Sequence, residues 1–109
     1  MKQETAIDAF AALAQPSRMA IFRLLVKAGP DGLQVNEISR ILGIVTSTLS
    51  GHLSILKRAG MLKARRKQRE IHYSANLAMV NDLVGFLLAD CCAGRSENCG
   101  EILSLLDAG

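Results

Sequence analysis

The stretch Val45 to Gly60, VTSTLSGHLSILKRAG, decides how the rest of this chain reads. Leu49, Leu53 and Leu56 recur at spacings of four and three, which puts them on one stripe of a helix that faces a core. The opposite stripe carries Ser47, Gly51, Ser54 and Arg58, flanked by Thr48, Ser50 and His52, and is free of acid. A merely solvated helix face carries Lys and Glu instead. Small side chains let the backbone approach another surface, and hydroxyl, imidazole and guanidinium groups hydrogen-bond phosphates and base edges in a major groove. Gly51 points the same way, because a mid-helix glycine costs about 1 kcal/mol relative to alanine.

Upstream, Thr46 is placed to N-cap this helix. Only Ile44 and Val45 separate it from Gly43, which ends a preceding helix over Asn36 to Leu42, buried through Ile38, Ile41 and Leu42. Two helices joined by a glycine-containing turn of about four residues are a helix-turn-helix. Downstream of Gly60 the pattern alternates. Leu62, Ala64 and Arg66, then Ile71 and Tyr73, predict two strands around Lys67 to Arg69, a basic hairpin or wing.

The whole chain carries a net charge of +3, yet Lys57, Arg58, Lys63, Arg65, Arg66, Lys67 and Arg69 stand against Glu70 alone in the wing segment. From Val80 onward Asp82, Asp90, Glu97, Glu101 and Asp107 outweigh Arg95. One end of the molecule therefore suits a polyanion. Beside a DNA-reading helix, Arg65, Arg66, Lys67 and Arg69 would meet flanking phosphates or the minor groove.

The flanks supply three more helices. Glu4 to Ala14 places Ile7, Phe10, Ala11 and Ala14 on one side. A second helix opens at Pro16 and buries Met19, Phe22, Leu25 and Val26 up to Gly29, where GPDG makes a turn into a short strand over Leu33 to Val35. Asn76 caps a last helix running through Asp90. Its Leu77, Val80, Leu83, Val84, Leu87 and Leu88 cover more than one stripe, which implies a second copy of the chain packed two-fold on the first and last helices. The fold class expected is mainly α (α+β): one winged helix-turn-helix domain over 1–109, with about five helices and a β-hairpin wing. With no run of 18 apolar residues and no apolar signal region in MKQETAIDAF, a cytoplasmic protein with no membrane partner is expected. No paired acid and base, and no nucleophile with a base, is evident, which argues against an enzyme.

Cys91, Cys92 and Cys99 fall within nine residues, an odd number that argues against a disulfide framework. Three sulfurs converge from this segment if the helix ends or unwinds near Asp90. Thiolates select thiophilic metals and metalloids, and three of them satisfy trivalent arsenic or antimony. Zinc prefers four ligands; Asp90 is the available fourth for zinc or cadmium. A vicinal or Cys92 to Cys99 disulfide is the redox alternative. His52 and His72 fit DNA contact or local packing better than metal binding.

Residues 8 to 90 resemble the ArsR/SmtB family of winged-helix repressors, through ALAQPSRMAIFRLL (Ala12 to Leu25), LQVNEISRILGI (Leu33 to Ile44), STLSGHLSILKRAGML (Ser47 to Leu62) and REIHYS (Arg69 to Ser74). The resemblance implies a homodimer that represses its own operon on double-stranded operator DNA and leaves it when an ion binds. It implies DNA contacts at Thr46, Ser47, Thr48, Ser50 and His52, with Gly51 departing from the histidine often found at its position. Gln34, Val35 and Asn36 occupy the segment of the family's third-helix cysteine site, and the last helix lacks the histidines of its zinc site. The cysteine cluster looks like that of arsenite-responsive members, which assigns Cys91, Cys92 and Cys99 as ligands of As(III) as inducer, with Sb(III) a further candidate. Two alternatives stand beside it: a winged-helix regulator answering to Zn, Cd or thiol oxidation, and a small thiol metal-binding or interaction protein without operator binding.

Overall fold

The computed structural model describes residues 1–89, so Asp90, Cys91, Cys92 and Cys99 lie outside the described residues. The elements run α1 (Gln3–Leu13), α2 (Pro16–Ala28), α3 (Val35–Leu42), α4 (Thr46–Arg58), β1 (Leu62–Lys67), β2 (Glu70–Ala75) and α5 (Leu77–Leu88). Among the described residues five helices and one antiparallel hairpin make the winged helix-turn-helix that the sequence predicts.

Local chemistry sets the boundaries. Pro16 opens α2, and the Gln15 side chain accepts a hydrogen bond from the Arg18 backbone N–H at 2.8 Å. Gly43 ends α3 in the left-handed region at φ 68°, and the N–H groups of Gly43 and Ile44 both donate to the Ser39 carbonyl. The start of α4 differs from expectation. Thr46 is its first helical residue, Val45 takes the cap position, and no side chain caps it. Once Gly43 has closed α3 and the Ser39 hydroxyl holds the Ile44 carbonyl, Val45 is left extended and its carbonyl already accepts from Leu49.

Leu49, Leu53 and Leu56 lie fully buried among Ile21, Leu25, Ile38 and Met61, as their spacing predicts. The other helices turn different faces inward. Helix α1 buries Ala6, Ala9 and Ala12 and leaves Ile7 55% and Phe10 39% exposed, with Ala11 and Ala14 also outward. The alanine stripe lets the helix axis lie close to α2 and α4, where isoleucine and phenylalanine would hold it off. Helix α2 buries Ile21, Phe22 and Leu25 while Met19 and Val26 are exposed, and α3 buries Ile38 while Ile41 stays outside. Helix α5 stops at Leu88, short of Asp90; it buries Leu83 and leaves Leu77 and Leu87 exposed, so its apolar surface does exceed what one core covers.

The hairpin pairs Leu62 with Ala75, Ala64 with Tyr73, Arg65 with His72 and Lys67 with Glu70, turning through Gln68 and Arg69, with Gln68 at φ 61°. The strand expected over Leu33 to Val35 is reduced to one bridge, in which Leu33 and Tyr73 exchange two hydrogen bonds of 2.9 Å. Asn76 caps α5 by accepting from the Met79 N–H, and its amide donates to the Gly60 carbonyl at 2.8 Å.

Gly32 holds the turn against the wing. It sits at φ 71°, and a Cβ there would collide with the Tyr73 carbonyl. Gly32→Ala should destabilise the protein by at least about 2 kcal/mol, read as a lower urea midpoint; an unchanged midpoint would show that this turn does not bear on the hairpin.

Candidate nucleic-acid interface

The outward side of α4 is made of Thr46, Ser47, Thr48, Ser50, Gly51 and Ser54, all exposed, while His52 is half-buried. The first turn contains no acid and no side chain caps it. The backbone N–H groups at its positive end therefore join the threonine and serine hydroxyls as donors to an anion. At the other end Lys57 and Arg58 close the helix, with Arg58 donating to the Ser54 hydroxyl at 3.4 Å. His52 is held by the scaffold: its Nδ1 lies 3.5 Å from a terminal nitrogen of Arg18.

The wing register divides its cations between two faces. Lys63, Arg65 and Lys67 share one with His72 and Glu70, whereas Arg66 shares the other with Ala64, Ile71 and Tyr73. Arg65, Arg66, Lys67 and Arg69 are all exposed. Arg66 donates to the Gln68 carbonyl at 3.2 Å and steadies the tip. The acid of this segment is turned to another purpose. Glu70 accepts from the Gln34 amide at 3.1 Å and meets His72 Nε2 at 3.3 Å, which clasps the wing to the start of α3. Among the described residues no lysine or arginine forms an ion pair, so the wing cations keep their charge for an external polyanion.

The α4 hydroxyls and the wing cations thus lie on two elements packed against each other, together the reading head. Arg18 and Gln34 belong to its support, a role that neither was assigned from the sequence. Gln34 carries a signal there, since Gln34 and Glu37 stand three apart at a helix start and the Gln34 N–H does donate to Glu37 Oε1 at 3.0 Å. Among the described residues no cluster of His, Cys, Asp or Glu can hold a metal ion. No single helix among them is long and apolar enough to cross a membrane.

A helix-turn-helix with a cationic wing defines a DNA-binding protein of the winged-helix class. Residues 13–65 match the family described as Helix-turn-helix domain. The transcriptional repressor SdpR of Bacillus subtilis is 32% identical over 81 residues, spanning 74% of this chain and 87% of SdpR. Among solved structures, an ArsR-like transcriptional regulator from Rhodococcus sp. RHA1 superposes with a TM-score of 0.71 at 22% identity, over 94% of this chain and 92% of that one. The homodimeric winged helix-turn-helix DNA-binding domain of Mb0332 from Mycobacterium bovis, a possible ArsR-family regulator, gives 0.63 at 26% identity, over 80% of this chain and 81% of that one. The chain belongs to the ArsR family of winged-helix transcriptional regulators, and it is a repressor of that type, not an enzyme.

Gly51 tests the close approach of α4 to DNA. Nothing lies within 4 Å of a Cβ built there. Gly51→Ala should therefore raise stability by up to about 1 kcal/mol and still weaken operator binding; a melt and an anisotropy titration separate the two effects. For the wing, Arg66→Ala should weaken binding to all sequences and reduce the salt slope by about one phosphate contact. An unchanged slope would remove Arg66 from the contact surface.

Proposed function

We propose that this repressor acts as a homodimer that binds an operator through α4 and the wing and releases it when As(III) binds Cys91, Cys92 and Cys99. The observation that carries the DNA half is the exposed, acid-free face of α4 beside a hairpin whose cations have no acidic partner among the described residues. Thr46, Ser47, Thr48, Ser50 and His52 then meet base edges and phosphates in the major groove, and Arg65, Arg66, Lys67 and Arg69 meet flanking phosphates. Dimerisation is supported by the apolar residues left outside the core, Ile7 and Phe10 on α1 with Leu77 and Leu87 on α5. The homodimeric state of the Mb0332 domain supports it as well.

The arsenite half rests on the cysteine spacing and the family resemblance. One feature of the fold supports it: α5 ends at Leu88, and Ala89 has left the helical region at ψ 129°, so the helix stops before the first cysteine. Three thiols condensing with arsenous acid release three waters and leave arsenic in a trigonal sulfur site. Sb(III) has the same coordination preference. Ligand binding shifts the DNA-bound population only through its different affinity for two arrangements of the dimer. The two reading helices must match half-sites about 34 Å apart. Moving from mostly bound to mostly free takes about 5.5 kcal/mol of differential affinity, within reach of several sulfur bonds.

Cys91→Ser, Cys92→Ser and Cys99→Ser should each retain operator binding and lose release by arsenite in a gel-shift titration on the DNA upstream of the coding sequence. Normal release in all three would place the sensor elsewhere. Running the same titration with antimonite, zinc, cadmium and an oxidant separates arsenic sensing from its alternatives.

A further inference from the structure

We infer that Arg18 is a positioning residue that fixes His52 in its Nε2–H form, so that the imidazole meets DNA as a hydrogen-bond donor. The inference rests on the DNA-binding reading of α4. It starts from the end of α1. Of the last four carbonyls of that helix, Phe10 and Ala11 accept from the Ala14 N–H and Leu13 accepts from the Gln15 N–H, which leaves Ala12. Arg18 Nε donates to the Ala12 carbonyl at 2.6 Å, and the Arg18 backbone N–H is tied to the Gln15 side chain. The cation thus sits at the negative end of α1, where it is stabilised.

A guanidinium held at Nε presents its other donors in a fixed fork. One of them is aimed at α4, where Arg18 Nη1 lies 3.5 Å from His52 Nδ1. Guanidinium has no acceptor, so Nδ1 must offer its lone pair, and a neutral imidazole then carries its proton on Nε2. Among the described residues Nε2 has no hydrogen-bond partner, and no buried side-chain nitrogen is left unpaired there, so Nε2 reaches the surface.

The consequence is a specificity rule. An Nε2–H donor is satisfied by N7 of guanine or adenine, guanine O6, thymine O4 or a phosphate oxygen, and it is not satisfied by the exocyclic amines of cytosine or adenine. The other tautomer would reverse that preference. Arg18 therefore chooses the polarity of a contact that it does not itself make, from a position anchored on α1.

A long-range nitrogen–proton correlation spectrum of the free protein at mildly alkaline pH tests this directly. The expected result is a protonated Nε2 and bare Nδ1 for His52. In Arg18→Met, which keeps the aliphatic stem and loses the donors, the two tautomers should mix. Operator affinity should fall about twofold, the share of the binding form lost when the tautomers mix evenly, with the salt slope unchanged because no cation that meets phosphate is removed. A wild-type spectrum with the proton on Nδ1 overturns the inference, as does an Arg18→Met protein with unaltered tautomer and operator affinity. If Arg18→Met fails to fold, the wild-type spectrum and a second pair decide. His52→Gln, with a donor at the Nε2 place, should keep more affinity than His52→Asn, and equal losses overturn the inference. Absence of operator binding by the wild type would instead overturn the DNA reading, which the spectrum does not depend on.

Discussion

Burial of three leucines on one stripe of α4 is the constraint from which the reading head follows. Leu49, Leu53 and Leu56 are at most 1% exposed. Each contributes about 1.5–3 kcal/mol by leaving water. Turning α4 by one residue would bring them out and force Ser50, Ser54 or Lys57 inward, where none would find a partner. The rotation of α4 about its axis is thereby fixed. Hydroxyls, Gly51 and the basic end of the helix must then face away from the core, whatever they meet there.

The same stripe explains where sequence periodicity succeeds and where it does not. On α4 three leucines form a narrow arc and Ile55 alone lies off it, exposed, so spacing names the buried face. Helices α1 and α2 carry apolar residues around more than half of their circumference, and periodicity cannot choose between two faces that are both apolar. Packing chooses. Ala6, Ala9 and Ala12 win on α1 because close approach to α2 and α4 favours small side chains, and Ile7 and Phe10 are left outside. Met19, Val26 and Ile41 end outside for a different reason: the core is already filled by Ile21, Leu25 and Ile38 from the adjoining arc.

The site was legible to a similar depth. Residue type and charge mark Thr46 to His52 and the cations of the wing, because an acid-free helix face and a run of basic residues are visible without coordinates. Their supports were not. Arg18 and His52 stand 34 residues apart, and Gln34 and Glu70 stand 36 apart. No local pattern links such pairs; they meet only once α2, α3, α4 and the hairpin have been packed on one core. The loss of Thr46 as a cap has a local cause instead, since Ser39 holds the Ile44 carbonyl and the helix starts at Thr46 itself.

The start of α5 is bound to the reading head. Asn76 donates its amide to the Gly60 carbonyl at 2.8 Å and its backbone N–H to the Met61 carbonyl at 2.9 Å, so the first turn of α5 is anchored at the junction of α4 and β1. The far end of α5 has no such hydrogen bond among the described residues; Leu83 and Phe86 hold it to the core by apolar packing, and the chain runs on from it to the cysteines. A helix tied by directional bonds at one end and by non-directional packing at the other gives way at the packed end and pivots about the bonded one. Under the proposed arsenite response, sulfur ligation beyond Leu88 would therefore act on the subunit contact first. The reading head, rigid on its leucine stripe, would be carried along as a unit. What the inducer alters in that scheme is the relation between two intact α4 helices, which is the quantity that half-site spacing measures.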